Sequence, residues 1–150
     1  WDGLILLGGN ISTGRDVASA LQMGADLAYM GTRFINTDEA VADEAYKQMI
    51  IDAGTNDIVY TAAISGIYAN FLKQSLINGG IPPELWNKST KVDFGKELDL
   101  EAKAWKTIWS AGQGVATIKD TLPAADLIAR LRREFVEAIE EQYRYLERYG

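Results

Sequence analysis

The stretch Leu4-Ile5-Leu6-Leu7-Gly8-Gly9-Asn10-Ile11-Ser12-Thr13-Gly14-Arg15-Asp16-Val17 decides the fold. Leu4 to Leu7 is a continuous apolar run closed by two glycines, the pattern of a strand buried on both faces of a parallel sheet. Thr13 is placed to cap a helix, with Asp16 three residues on in the position a capping box reserves for an acceptor. Val17, Ala20, Leu21 and Gly24 share one helical face, and Gly24 supplies the stop. Leu27 to Met30 reads as a second strand, closed by Gly31-Thr32. Strand, helix and strand in so short a span predict a parallel pair.

Outward from this unit, a helix is expected from about Asp38 to Ala53, with Thr37 as its cap and Gly54 as its stop. Ile58 to Thr61 suits a short strand. Tyr68, Phe71, Leu72, Ser75 and Leu76 fit another helix, ended by Gly79-Gly80. Asn87 to Leu98 is polar and aperiodic. Helical character resumes from Ala102 to Trp109 and breaks at Ala111-Gly112-Gln113-Gly114. Pro123 belongs in a first helical turn. The long helix that follows carries an inner stripe of Leu127, Leu131, Phe135, Ala138, Ile139, Gln142 and Leu146.

Composition narrows the function. The 150 residues carry a net charge of −6, with no cysteine and no histidine. The one basic cluster, Arg130, Arg132 and Arg133, is followed at once by Glu134 and Glu137, so a nucleic-acid partner is not expected. Thiolate chemistry and disulfides are excluded, and the commonest general base is absent. No apolar run approaches the roughly 20 residues that span a bilayer, and no secretory leader is visible. A cytoplasmic location without membrane contact is expected. The chain opens on Trp1-Asp2-Gly3 and enters an apolar run at once, which reads as a piece of a longer one.

Two parallel strands that each end in glycine place their loops at the edge where parallel-sheet proteins bind ligands. In (β/α)₈ barrels the loops after the last two strands frequently hold a phosphate. Glycines let backbone N–H groups approach phosphate oxygens, a helix end adds partial positive charge, and Thr32 offers a hydroxyl. Glycines equally serve as plain strand-to-helix turns. Gly9, Asn10, Gly31 and Thr32 are the candidate cofactor-binding residues. Arg33 can attract a phosphate or pair with a surface acid. Trp105 and Trp109, one helical turn apart, fit core packing better than cofactor stacking. Glu137, Glu140 and Glu141 read as a solvated helix face rather than a metal site.

Gly8-Gly9-Asn10-Ile11-Ser12-Thr13-Gly14-Arg15-Asp16-Val17, Met23-Gly24-Ala25-Asp26 and Tyr29-Met30-Gly31-Thr32-Arg33-Phe34 together resemble the phosphate-binding segment of the nitronate monooxygenase (2-nitropropane dioxygenase) family. The resemblance continues through Glu39, Ala40 and Tyr46-Lys47. It returns at Trp109-Ser110-Ala111-Gly112-Gln113-Gly114 and Leu122-Pro123-Ala124-Ala125. It covers most of the chain and is weakest from Asn87 to Leu98. Many family members have a second glycine where Asn10 stands; Asn tolerates unusual backbone angles.

The resemblance implies the C-terminal portion of an FMN-binding (β/α)₈ TIM barrel with an inserted, mostly helical domain. Residues 1–35 would form the last two barrel units, 36–110 the insertion, and 111–150 the return segment and last helix. It implies an FMN-dependent oxidation of alkyl nitronates by O₂ to a carbonyl compound and nitrite. Ser110 and Gln113 would line the flavin and substrate pocket, although a polar loop explains them equally well. In the family the catalytic histidine comes from an earlier strand, so no catalytic residue is expected here and this chain alone should be inactive. FMN-dependent enoyl reductases share much of the pattern, and a non-catalytic helical interaction domain is the reading from another class. Two strands cannot close a barrel. The chain is therefore expected to need the missing upstream barrel segment, or to cover its open edges by forming a homo-oligomer.

Overall fold

In the computed structural model, residues 1–64, 66–87 and 107–150 are described. The irregular stretch expected from Asn87 to Leu98, apart from Asn87 itself, lies outside them. So does the helix expected from Ala102, with Trp105, up to residue 106. The chain divides into two compact units, one made of Trp1–Ala42 and Thr117–Gly150, the other of Asp43–Ala116.

The first unit is built on β1 (Leu6–Gly8), α1 (Gly14–Gln22) and β2 (Leu27–Tyr29). β1 and β2 are parallel neighbours in the register Leu6↔Leu27, Leu7↔Ala28 and Gly8↔Tyr29. The local chemistry is the one the sequence announces. The Thr13 hydroxyl accepts the Asp16 N–H at 3.1 Å, and the Asp16 carboxylate accepts the Thr13 N–H at 2.8 Å. Thr13→Ala is expected to cost about 1 kcal/mol, read as a lowered midpoint in urea unfolding. α1 ends through Gly24, whose φ of +97° lies in the left-handed region. Side chains alternate across the pair: Leu7 and Ala28 are half-buried, whereas Leu6, Leu27 and Tyr29 are 55%, 50% and 60% exposed. One face of this two-stranded sheet is therefore apolar and open.

A single-turn helix α2 (Thr32–Ile35) follows β2, an element that periodicity does not reveal. The helix expected from Asp38 with Thr37 as cap does not begin there. The Thr37 hydroxyl donates to the Phe34 carbonyl at 2.9 Å, and Thr37 forms a parallel bridge with Leu122. The Asp38 N–H donates to the Leu122 carbonyl at 3.0 Å, and the Glu39 carboxylate accepts the Ala124 N–H at 2.8 Å. These bonds hold residues 36–42 in the first unit, whose N-terminal segment runs to Ala42.

The same Glu39 carboxylate occupies an orphan amide at the start of the last helix, α5 (Ala124–Tyr149). Pro123 precedes α5 as its N-cap residue instead of sitting inside the first turn. The inner stripe of α5 is buried at Leu127 and Ala138, but Leu146 is 66% exposed. The last turns of α5 thus run past the surface that covers its earlier ones.

The second unit contains α3 (Glu44–Asp52), β3 (Ile58–Thr61), β4 (Ala69–Leu72) and α4 (Lys73–Asn78). Asp43 caps α3, accepting the Ala45 N–H at 2.8 Å. The helix expected over Tyr68 to Leu76 is half a strand. Ala69–Leu72 pairs antiparallel with β3, Ile58 opposite Leu72 and Thr61 opposite Ala69. Trp109, expected to end a helix, runs beside β4: its carbonyl accepts the Leu72 N–H at 2.9 Å. Ser110 bridges Phe71. Phe71, Leu76 and Ile108 form the core of this unit, with Val59, Ile64, Ile81 and Trp86 packed against it. No helix among the described residues is long and apolar enough to cross a membrane.

Candidate functional site

The register of β1 and β2 brings the Gly8-Gly9-Asn10 and Met30-Gly31-Thr32 turns to the same edge of one parallel pair, because Gly8 and Tyr29 are opposite each other. The first turn is left-handed at two successive residues, Gly9 at φ 95° and Asn10 at φ 57°. Asn10 thus holds the conformation that a glycine would otherwise supply. Gly31 has an ordinary φ of −107° and precedes α2 with no side-chain cap. A Cβ added at Gly9 or at Gly31 meets no atom within 4 Å. The space in front of both turns is open, so their backbone can be approached closely.

The helix end expected to assist is differently engaged. At the start of α1 the Asp16 carboxylate takes the Ser12 and Thr13 amides at 2.9 and 2.8 Å. The Glu134 carboxylate, brought in from α5, takes the Gly14 amide at 2.7 Å. Two protein carboxylates already meet the positive end of this helix, so the candidate anion site rests on the turns. In the sequence, Glu134 stands out only as a neighbour that offsets the basic cluster.

Arg33 takes the second of the roles open to it. Arg33 is buried, 2% exposed, and its guanidinium donates to Asp120 twice, to the carbonyl at 2.9 Å and to the carboxylate at 2.7 Å. Arg130 from α5 holds the other carboxylate oxygen of Asp120 at 2.8 Å. The Arg130 hydrogen bond foremost, with Arg33, keeps the Asp120 carboxyl below the usual carboxylate range.

Ser110 and Gln113 belong to the second unit. Ser110 is exposed, and its carbonyl accepts the Tyr46 hydroxyl. Burial pushes the Tyr46 phenol up, so it remains a proton donor at neutral pH. The Tyr46 ring stacks on Trp109, with centroids 5.0 Å apart and planes at 14°. Gln113 is exposed at the start of a 3₁₀ turn, Gln113–Thr117. A cavity of about 590 Å³ in the second unit is lined by Gln48, Met49, Asp52, Asp57, Lys73 and Gln74 among others. It contains none of the candidate residues. Of the acidic trio on α5, Glu141 pairs with Arg15 at 2.6 Å, and no metal-holding cluster occurs among the described residues.

Residues 4–134 match the family described as Nitronate monooxygenase. The chain belongs to the nitronate monooxygenase family. A nitronate monooxygenase from Paraburkholderia phytofirmans is 34% identical over 145 residues, which is 91% of this chain and 39% of that protein. The chain therefore spans well under half the length of this relative. Among solved structures, a FabK variant from Thermotoga maritima superposes with a TM-score of 0.73 at 26% identity, over 97% of this chain and 45% of the other. Nitroalkane oxidase from Streptomyces ansochromogenes gives a TM-score of 0.69 at 26% identity, over 95% and 42%. The fold is that of the C-terminal portion of a (β/α)₈ barrel, as the family resemblance implies. The open apolar face of β1 and β2 is what a portion of a barrel exposes when the other strands are not beside it.

Proposed function

We propose that this chain forms the phosphate-holding part of an FMN-dependent oxidoreductase that oxidises alkyl nitronates with O₂ to a carbonyl compound and nitrite. The observation that carries the reading is the family match over residues 4–134. Gly9, Asn10, Gly31 and Thr32 would hold the FMN phosphate through backbone amides and the Thr32 hydroxyl. The placement of both glycine turns at one edge of a parallel pair, with open space in front of Gly9 and Gly31, supports this assignment. FMN, when bound, supplies the redox chemistry, while the chain orients and anchors it. The nitronate and the rest of the flavin site would be met by the upstream barrel segment.

Gly31→Val tests the phosphate assignment cleanly. The added side chain starts in open space at an ordinary φ, so folding should change little. It enters the space the phosphate would fill, and loss of the charge-assisted amide bonds should weaken FMN binding on the order of 100-fold. FMN titration by flavin fluorescence in the whole barrel protein, beside a thermal melt, reads both. Unchanged FMN affinity in a folded variant would remove these turns from the cofactor site.

A further inference from the structure

We propose that Arg33 is a positioning residue for the Gly31-Thr32 turn, acting through Asp120 and not by attracting the phosphate with its charge. The inference rests on the FMN reading above. Arg33 directly follows the turn, yet its side chain is buried against Asp120, with bonds of 2.9 Å to the carbonyl and 2.7 Å to the carboxylate. Its charge is met by that carboxylate, which also binds Arg130 of α5 at 2.8 and 3.2 Å.

α2 needs such an anchor. It is a single turn of four residues with no side-chain cap at Gly31, too short for its own hydrogen bonds to fix its orientation. The ties continue beyond Arg33. The Asn36 side-chain amide donates to the Thr121 hydroxyl at 3.3 Å, and Thr37 bridges Leu122. Residues 120–122 thus form a fixed strip against which α2 is laid. The Arg33–Asp120 pair ties down the residue that directly follows the turn.

The test compares FMN with riboflavin, which lacks the phosphate, using dissociation constants measured by fluorescence titration of the whole barrel protein. The unaltered protein is expected to prefer FMN by about 100-fold. Arg33→Met should weaken FMN about tenfold and leave riboflavin unchanged. Arg33→Lys, which can keep one bond to Asp120, should recover part of the loss.

Asp120→Asn separates the two roles of Arg33, and its near-identical shape guards against a variant that does not fold. Positioning predicts weaker FMN binding, whereas direct attraction predicts tighter binding, because the guanidinium would lose its counter-charge. Equal weakening of both flavins, no change in either, or tighter FMN binding by Asp120→Asn would overturn the proposal. If the unaltered protein does not distinguish FMN from riboflavin, the phosphate reading itself fails. If Gly31→Val abolishes the preference while Arg33→Met preserves it, the phosphate reading stands and the role of Arg33 alone is wrong.

Discussion

Gly14→Ala should destabilise the first unit by more than about 3 kcal/mol, beyond the usual range for one added methyl in a packed interior. Gly14 opens α1 at the point where that helix touches α5. A Cβ there would lie 2.0 Å from the Leu131 carbonyl oxygen, 2.5 Å from the Phe135 nitrogen and 2.7 Å from the Glu134 Cβ. Two of these atoms are backbone in the middle of a helix, so no side-chain rotation relieves the clash. Either α1 moves off α5 or α5 bends. Separation would also break the bond from the Gly14 amide to Glu134, leaving both groups to find water or remain unsatisfied. Gly24→Ala is the fitting contrast. Its Cβ meets nothing within 4 Å, but its φ is +97°, so the cost is limited to backbone strain of about 1–2 kcal/mol. Thermal unfolding of the two variants reads the difference. Equal, small shifts would mean that α1 and α5 do not pack at Gly14.

The contrast between these glycines shows what the sequence could and could not convey. The capping box at Thr13 and Asp16, the stop at Gly24 and the strand–helix–strand order are local, involving residues within one turn or one loop of each other. Composition and spacing reveal such features directly. The packing of Gly14 on α5 joins positions 120 residues apart, and no periodicity in either helix identifies the match. Arg33 with Asp120 and Tyr46 with Trp109 were hidden for the same reason.

The misplaced elements have their own causes. Tyr68, Phe71, Leu72, Ser75 and Leu76 satisfy helical spacing, yet β3 supplies backbone partners for Ala69–Leu72, and pairing overrides the pattern until Lys73. Thr37, Asp38 and Glu39 have good helix-starting chemistry, but their polar groups are spent on Phe34, Leu122 and Ala124. The candidate site was legible as two glycine turns. The engagement of the α1 end by Asp16 and Glu134 was only half legible, because Asp16 is local and Glu134 is not.

Residues 1–150 by themselves should show no measurable nitronate oxidation, even with added FMN. Among the described residues the parallel sheet has two strands, too few to close a barrel around a flavin. This sheet leaves Leu6, Leu27 and Tyr29 more than half bare or nearly so, at 55%, 50% and 60%. A flavin ring has no complete wall to rest on there. On the proposed function, the turns alone would retain weak affinity for the FMN phosphate. Supplying the upstream barrel segment, fused or as a separate polypeptide, should restore tight FMN binding and turnover together.

The most direct measurement is oxygen uptake with an alkyl nitronate and FMN, with nitrite quantified in the same samples, for residues 1–150 and for the whole barrel protein side by side. Oxygen uptake with nitrite release is expected from the whole barrel, and neither from residues 1–150. Turnover by residues 1–150 at a rate near that of the whole barrel, or FMN-loaded whole barrel that releases no nitrite, would contradict it.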